Sequence, residues 1–233
     1  MTSTTQPTAL ITGAGRGLGL ALARALLAND WHVIVDARRA SHLPAALLGA
    51  VVVPGDVTDP AHRDALSAAV TRLDLLVNNA SDLGPSPLPQ LADVPLATVQ
   101  RVYETNVLAP LALTQLFLPR LRTAHGTVVN ISSDAAVEAY PGWGAYGSAK
   151  AALDQLTAVL AAEEPGLAIY SVDPGDMRTE MHQAAFPGED ISDRPAPETV
   201  VPALLRLIAT RPPSGRLRAA DLATATASTA AAS

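Results

Sequence analysis

Cysteine is absent from this chain of 233 residues, which excludes a disulfide framework and a thiolate metal site. The five histidines are scattered without a ligand-spaced pair, so we expect no bound metal. No run of about 18 apolar residues occurs, and the polar start at residues 1–7 lacks the layout of a signal peptide, so we expect a cytoplasmic protein with no membrane span. The net charge of −6 argues against nucleic acid and anionic membranes as partners.

Lysine is almost absent as well, because the chain has fifteen arginines and a single lysine, Lys150. Tyr146 lies four residues before it, a spacing that on a helix puts both side chains on one face, about 5–6 Å apart at Cβ. An ammonium beside a phenol favours the phenolate and lowers the phenol pKa from about 10. Such a tyrosine can exchange a proton with an alcohol or a carbonyl near neutral pH. An ordinary helix can also contain this pair, so other motifs must decide.

A glycine-rich stretch near the start of the chain favours the chemical interpretation. A short apolar strand is predicted at residues 8–11, followed by TGAGRGLG at 12–19 and a helix of Ala and Leu over 18–28. Glycines between a strand and a helix let the backbone turn tightly and approach a phosphate, which then lies on the helix N-terminus. A glycine triplet alone is weak evidence, and its position between a strand and a helix makes the prediction stronger.

Strands and helices alternate along the rest of the chain. Further strands are predicted at 32–35, 50–53, 73–77, 126–131, 168–172 and 216–219. Helices are predicted at 43–48, 60–72, 98–118, 143–162 and 198–210. The segment 179–197 is rich in Gly, Pro and acidic residues and is predicted to be a mobile flap.

This alternation predicts an α/β fold, a doubly wound parallel sheet of about seven strands with helices on both faces, of the Rossmann type. We expect a single domain over residues 1–221 and a disordered Ala/Ser/Thr-rich tail over 222–233. The motifs fall at the predicted carboxyl ends of strands, where such folds bind their ligands.

Pro110 lies inside the predicted helix 98–118. Proline has no N–H, so the carbonyl of Asn106, four residues earlier, has no helical donor. This arrangement either produces a simple kink or leaves the carbonyl available to another group, and the periodicity alone does not decide between them.

With these motifs assembled, the chain resembles the short-chain dehydrogenase/reductase family over about residues 8–219. The motifs stand in the family's order: TGAGRGLG at 12–19, DV at 56–57, NNA at 78–80, Asn106, Ser133, YGSAK at 146–150 and DPGDMRT at 173–179. The resemblance implies an oxidoreductase that transfers hydride between a nicotinamide dinucleotide and a carbonyl or secondary alcohol substrate.

The resemblance also implies four catalytic residues. Tyr146 would be the general acid/base, and Lys150 would lower its pKa and hold the nicotinamide ribose. Ser133, thirteen residues before Tyr146, would hydrogen-bond the reacting oxygen. The backbone carbonyl of Asn106 would hold a water that connects Lys150 to solvent. Two features depart from the family pattern: Ser81 replaces the usual glycine after NNA, and the carboxyl end lacks a glycine pair.

The resemblance further implies a set of cofactor-binding residues. They are Gly13, Arg16, Gly17, Leu18, Gly19, Arg38, Asp56, Val57, Asn79, Tyr146, Lys150, Pro174, Gly175 and Thr179.

The choice of cofactor depends on the end of the second strand. Asp36 suggests NAD, since a carboxylate there binds the ribose 2′-hydroxyl, but the family's acidic position falls at Ala37. The neighbouring Arg38, with Arg16 in the glycine loop, suits a 2′-phosphate. We therefore expect NADP(H), with NAD as the alternative.

Two other functions are compatible with the sequence. The fold could bind a dinucleotide as a regulator without turnover, or use the same tyrosine for non-redox biosynthetic chemistry. The substrate is not determined, although Asp134, Tyr140, Trp143 and His182 are candidates to shape its pocket. We expect a homodimer or homotetramer formed through the helices at 98–118 and 143–162.

Overall fold

A computed structural model describes residues 6–38 and 47–224 of the chain. Within these residues, seven parallel strands form one sheet in the order β3-β2-β1-β4-β5-β6-β7. The strands are β1 (Thr8–Ile11), β2 (His32–Ala37), β3 (Val51–Pro54), β4 (Leu75–Asn78), β5 (Thr127–Ile131), β6 (Ala168–Asp173) and β7 (Gly215–Arg218). From β1 the chain builds the sheet outward on one side through β2 and β3, and then on the other side from β4 to β7. At this switch point in strand order, a crevice opens at the carboxyl ends of β1 and β4.

Helices connect the strands and cover the sheet. They are α1 (Gly17–Ala28), α2 (Pro60–Ala69), α3 (Leu96–Tyr103), α4 (Ala109–Ala124), α5 (Gly144–Glu163), α6 (Glu180–Ala185), α7 (Val201–Thr210) and α8 (Ala219–Thr224). Among the described helices, none combines the length and the apolar character that a membrane span requires.

The two largest buried apolar clusters lie on opposite faces of the sheet. Neighbouring side chains of β1 point to opposite faces, as the pleat of a strand requires. Ile11 packs with Leu22 of α1 and Leu204 of α7. Leu10 packs on the other face with Phe117 of α4. Both strand residues are fully buried. The parallel sheet with helices packed on both faces confirms the predicted doubly wound fold.

The predicted helix 98–118 is interrupted. A π-helical turn at Glu104–Leu108 separates α3 from α4, and the N–H of Ala109 donates to the carbonyl of Glu104, five residues earlier. The turn ends just before Pro110, which cannot donate to Asn106. The expected single α-helix was therefore wrong, because the helix changes register where the proline removes a hydrogen bond.

Other differences concern the ends of elements. The segment 179–197, predicted as a flap, contains α6, and α2 ends at Ala69 rather than at residue 72. Helix α8 continues through Thr224, across the expected boundary between domain and tail. Residues 43–46 of the predicted helix 43–48 lie outside the described residues, and so does the tail beyond residue 224.

Candidate active site

The glycine-rich stretch forms the turn between β1 and α1. Gly13 and Gly17 have φ values of 65° and 56°, which favour glycine. A Cβ on Gly13 would lie only 2.7 Å from the Cα of Ala80. Helix α1 has no acidic residue in its first turn, and the Arg16 side chain does not cap it. The first N–H groups of α1 therefore suit a phosphate, which would approach a backbone kept bare by glycine.

Hydrogen bonds fix this turn to the end of β4. The Thr12 hydroxyl accepts from the backbone N–H groups of Asn79 and Ala80, each at 3.0 Å. The Asn79 side-chain amide donates to the carbonyls of Thr12 at 2.9 Å and Gly13 at 3.2 Å. A Cβ on Gly19 would collide with the Asn79 amide. Asn79, predicted to line the cofactor groove, thus acts here by holding the glycine turn.

A buried pair supports the turn from below. Asp36, 2% exposed, accepts from the Gly13 N–H at 2.7 Å through Oδ1, and its Oδ2 lies 2.8 Å from Nε2 of His62. Burial raises the pKa of Asp36, and the hydrogen bonds from Gly13 and His62 oppose that effect only in part. Sequence reasoning missed His62, because the contact joins residues 26 positions apart and no local pattern marks it.

The ends of β2 and β3 meet beside this pair. Arg38 is exposed after β2, and its charge acts on Asp56. Partial burial would raise the pKa of Asp56, but the two hydrogen bonds from Thr58 and the charge of Arg38 lower it below its ordinary value. Val57 is buried in the core. The structure therefore brings Arg38, Asp56 and Val57 to the carboxyl edge of the sheet.

Tyr146 and Lys150 lie on one face of α5, and both are buried. The Lys150 Nζ lies 5.5 Å from the centre of the Tyr146 ring. The same Nζ donates at 2.8 Å to the carbonyl of Ile131, at the end of β5. Burial lowers the pKa of Lys150 to about 8. An ammonium has three donors, so this bond leaves the lysine able to hold further acceptors.

The phenol does not have the pKa that the sequence led us to expect. The pKa of Tyr146 is raised to about 12, first because its hydroxyl is buried, and further by the charges of Asp134 and Asp173. Hydrogen bonding toward Ser81 and Ser133 acts in the opposite direction without overcoming burial. The prediction of a lowered pKa was therefore wrong for the protein alone, since burial of the phenol outweighs the hydrogen bonds of the two serines.

Ser133 is the second residue after β5 and lies close to the Tyr146 hydroxyl. Its own hydroxyl donates to Oδ1 of Asp134 at 3.0 Å and accepts from the N–H of Ala135 at 3.2 Å. Its carbonyl accepts from Nη2 of Arg216 at 3.0 Å. The backbone of this serine is thus held from β7 while its hydroxyl faces the tyrosine.

Asn106 is fully buried in the π-helical turn. Its Oδ1 accepts from the Ser81 hydroxyl at 3.1 Å and from the Asp82 N–H at 2.8 Å, and its Nδ2 donates to the Asp82 carbonyl at 2.8 Å. The Asn106 side chain thereby holds the loop after β4 and places Ser81 beside Tyr146. The departure from the family's glycine at residue 81 was the signal of this contact, although its function was not foreseen.

The loop after β6 brings the last predicted residues to the same edge. Pro174 and Gly175 follow the strand, and the Gly175 N–H donates to Oδ1 of Asp173 at 3.0 Å. Thr179 caps α6, and its methyl carbon would lie 3.5 Å from a Cβ on Gly17. Thr179 therefore faces the glycine turn.

Helix α6 is also connected to the glycine turn by charge. The Arg16 guanidinium pairs with the carboxylate of Glu180 in the first turn of α6. Both side chains are largely exposed, at 60% and 70%, so this pair contributes little to stability. The described part of the chain contains no cluster of three His, Asp or Glu side chains that could hold a metal ion.

Comparison with known proteins agrees with this geometry. A family model described as short chain dehydrogenase matches residues 7–190. The chain belongs to the short-chain dehydrogenase/reductase family. It is 39% identical over 187 residues to serine 3-dehydrogenase from Agrobacterium fabrum, covering 74% of this chain and 73% of that protein. It is 37% identical over 199 residues to mouse sepiapterin reductase, covering 76% of each chain.

Solved structures of the short-chain dehydrogenase/reductase family have the same fold. A short-chain dehydrogenase from Streptomyces avermitilis superposes with a TM-score of 0.81 at 29% identity, covering 98% of this chain and 95% of that one. A short chain dehydrogenase from Shigella flexneri complexed with NADP superposes with a TM-score of 0.84 at 27% identity, covering 91% of this chain and 95% of that one. This family member is therefore an NAD(P)-dependent oxidoreductase, and its bare glycine turn and uncapped α1 fit a dinucleotide pyrophosphate.

Proposed function

We propose that this enzyme transfers hydride between NADP(H) and a carbonyl or secondary alcohol, with Tyr146 as the general acid/base. The observation that carries the proposal is a buried phenol between Ser81 and Ser133, with an ammonium against its ring. Two relatives named as a dehydrogenase and a reductase support this class of reaction. The nicotinamide, when bound, supplies or accepts the hydride.

The proton chemistry follows from burial. With a pKa of about 12, Tyr146 holds its proton at neutral pH and can donate it to the oxygen of a carbonyl that is being reduced. The tyrosinate that results is buried, and the Lys150 ammonium beside the ring stabilises it. The Ser133 hydroxyl orients the reacting oxygen, as in an oxyanion hole.

Two further residues position the proton donor. Ser81 gives the phenol a second hydroxyl partner, and Asn106 holds Ser81 in place. The Asn106 carbonyl cannot accept from Pro110, which has no N–H, and we assign to this carbonyl a water that links Lys150 to solvent.

The preference for NADP(H) over NAD(H) is argued from charge. The Asp36 carboxylate is occupied by Gly13 and His62, and Ala37 offers no acceptor for a ribose 2′-hydroxyl. Arg38 is exposed at that corner, and the Arg16 side chain forms an exposed ion pair with Glu180. Guanidinium groups bind phosphate in a bidentate manner, which favours a 2′-phosphate there.

The decisive experiment follows nicotinamide absorbance with NADPH or NADH across a panel of ketones and aldehydes. We expect turnover with a higher kcat/KM for NADPH, and its loss in Tyr146→Phe. Ser148→Ala is the matched control, because Ser148 is on the same helix and its hydroxyl donates to the carbonyl of Ala145 within that helix. Nucleotide binding without turnover on any carbonyl would support a silent regulator or non-redox chemistry instead, and equal use of NADH would overturn the cofactor preference.

We also propose that the enzyme associates through α4 and α5. Leu108, the last residue of the π-helical turn before α4, is 54% exposed, and Val159 on α5 is 44% exposed. Burial of such side chains against a second copy would stabilise a dimer or a tetramer. Light scattering at micromolar concentration is the test, and a monomer would refute the association.

A further inference from the structure

Aromatic side chains are scarce in this chain and concentrated at one place. The sequence has two Trp, four Tyr and two Phe residues, 3% of the total. Four of these eight, Tyr140, Trp143, Tyr146 and Phe186, form one connected cluster at the site. Trp143 is the centre, with ring centroids 5.7 Å from Tyr146, 6.0 Å from Phe186 and 6.4 Å from Tyr140.

The cluster joins the proton donor to helix α6. Tyr140 and Trp143 precede α5, whereas Phe186 follows the last residue of α6. Apolar side chains of the loop after β4 and of α6 pack against it, among them Leu83, Leu88, Met181 and Ala185. Trp143 and Phe186 are only partly buried, and Tyr140 is 44% exposed. An aromatic and apolar surface with accessible rings therefore stands directly beside the catalytic phenol.

A carboxylate also lies beside the ring cluster. The Asp134 carboxylate accepts from the Ser133 hydroxyl and, at 3.0 Å, from the Tyr140 hydroxyl, so it lies between the reacting groups and the cluster. Arg216 is engaged by Asp154 at 2.9 Å, and Arg194 by Asp193 at 2.7 Å. A substrate carboxylate next to the ring cluster would meet Asp134 and would be repelled.

We propose that the substrates are uncharged aryl ketones or aryl aldehydes and the corresponding alcohols, with the substrate ring packed against Trp143 and Phe186. The inference rests on the proposed hydride transfer. In reduction, the carbonyl carbon gains the hydride that NADPH loses, and the carbonyl oxygen gains the proton of the Tyr146 hydroxyl. The C=O double bond becomes a C–O single bond, and the products are the alcohol and NADP⁺.

Three ketones of graded chemistry test the proposal. Acetophenone is neutral and aromatic, cyclohexyl methyl ketone has a similar size without aromaticity, and 4-acetylbenzoate is aromatic and anionic. Edge-to-face ring contacts favour the aromatic ring over the saturated one by about two- to tenfold in kcat/KM. We expect 4-acetylbenzoate to be the poorest of the three, and Asp134→Asn to raise its kcat/KM relative to that of acetophenone.

Variants locate the effect. Phe186→Leu should bring the acetophenone to cyclohexyl methyl ketone ratio close to one, mainly through KM. Trp31→Leu, which changes the tryptophan outside the cluster, should leave the ratio unchanged. If folding of Phe186→Leu were impaired, Trp143→Phe, which keeps an aromatic ring, should retain a preference for the aryl ketone.

The outcomes separate this inference from the proposed function. Equal kcat/KM for the cyclohexyl and phenyl ketones, or a preference for the anion, would overturn the substrate class while hydride transfer stands. NADPH that stays reduced with every ketone and aldehyde would overturn the proposed function, and the substrate class with it.

Discussion

Replacing Lys150 by methionine should stabilise the fold near neutral pH while abolishing turnover. The Lys150 ammonium is buried, and burial lowers its pKa from 10.5 to about 8. Between these two pH values the unfolded chain binds more protons than the folded protein. The free energy of unfolding therefore rises with pH in this interval, and the cost of burying the ammonium is fully present below about pH 8.

The magnitude follows from the same numbers. At about 1.4 kcal/mol per pKa unit, the cost of burying the Lys150 ammonium is about 3 kcal/mol at pH 7 and falls to about 1 kcal/mol at pH 10. Methionine removes this cost but also the hydrogen bond to the Ile131 carbonyl, about 1 kcal/mol. We expect Lys150→Met to be more stable than the parent by about 2 kcal/mol at pH 7, with little difference at pH 10.

Urea unfolding without nucleotide, at pH 7 and pH 10, measures both values. Both proteins are compared in a Tyr146→Phe background, because the phenol also changes stability with pH. Its raised pKa of about 12 makes its contribution to the free energy of unfolding fall as the pH rises from 10 to 12. A Lys150→Met variant that is less stable at pH 7, or whose advantage is the same at both pH values, would refute this account of the buried amine.

Three other predictions concern residues around the site. Ser81→Gly removes a hydroxyl that lowers the pKa of Tyr146, so the limb of the pH–rate profile assigned to the tyrosine should move to higher pH. His62→Ala leaves the Asp36 carboxylate buried with one partner fewer, which should lower the free energy of unfolding by about 1–3 kcal/mol and raise KM for NADPH more than it changes kcat. Pro110→Ala supplies an N–H to the π-helical turn and should slow turnover more than its change in stability explains.

Matched controls separate these effects from general damage. Ser148→Ala removes a hydroxyl from α5 and should leave the pH–rate profile in place. His32→Ala removes a partly buried imidazole at the start of β2, away from Asp36, and should leave KM for NADPH unchanged. A Pro110→Ala enzyme with normal turnover would remove the idea that the Asn106 carbonyl takes part.

The architecture could be predicted because its determinants are local. The alternation of apolar strands with helices, and the glycines between β1 and α1, are readable within short windows of sequence. Gly13 and Gly17 have positive φ angles, and Gly13 also lies too close to the Ala80 backbone for a Cβ. The glycine motif in the sequence reflects both requirements. The Tyr146–Lys150 pair needed only helical spacing. Strand β1 was therefore placed at its correct residues.

The helix predicted at 98–118 was described less well from sequence, because its backbone hydrogen bonding changes register part-way along. The sequence marked Pro110 as unusual, and a kink or an available carbonyl were both open. The π-helical turn is one of several ways in which a helix can adjust to a missing donor, and in the folded protein this turn packs against α5. Local periodicity is the same for these alternatives.

The amino-acid sequence by itself determined the fold class, the strand ends that carry the motifs, and which side chains could do the chemistry. Only the tertiary structure decided that Asp36 is paired with His62 under the glycine turn, that Ser81 reaches Asn106, and that burial governs the pKa of Tyr146. The physical reason is that desolvation and hydrogen bonding depend on what surrounds a side chain in space, and those neighbours come from distant parts of the chain.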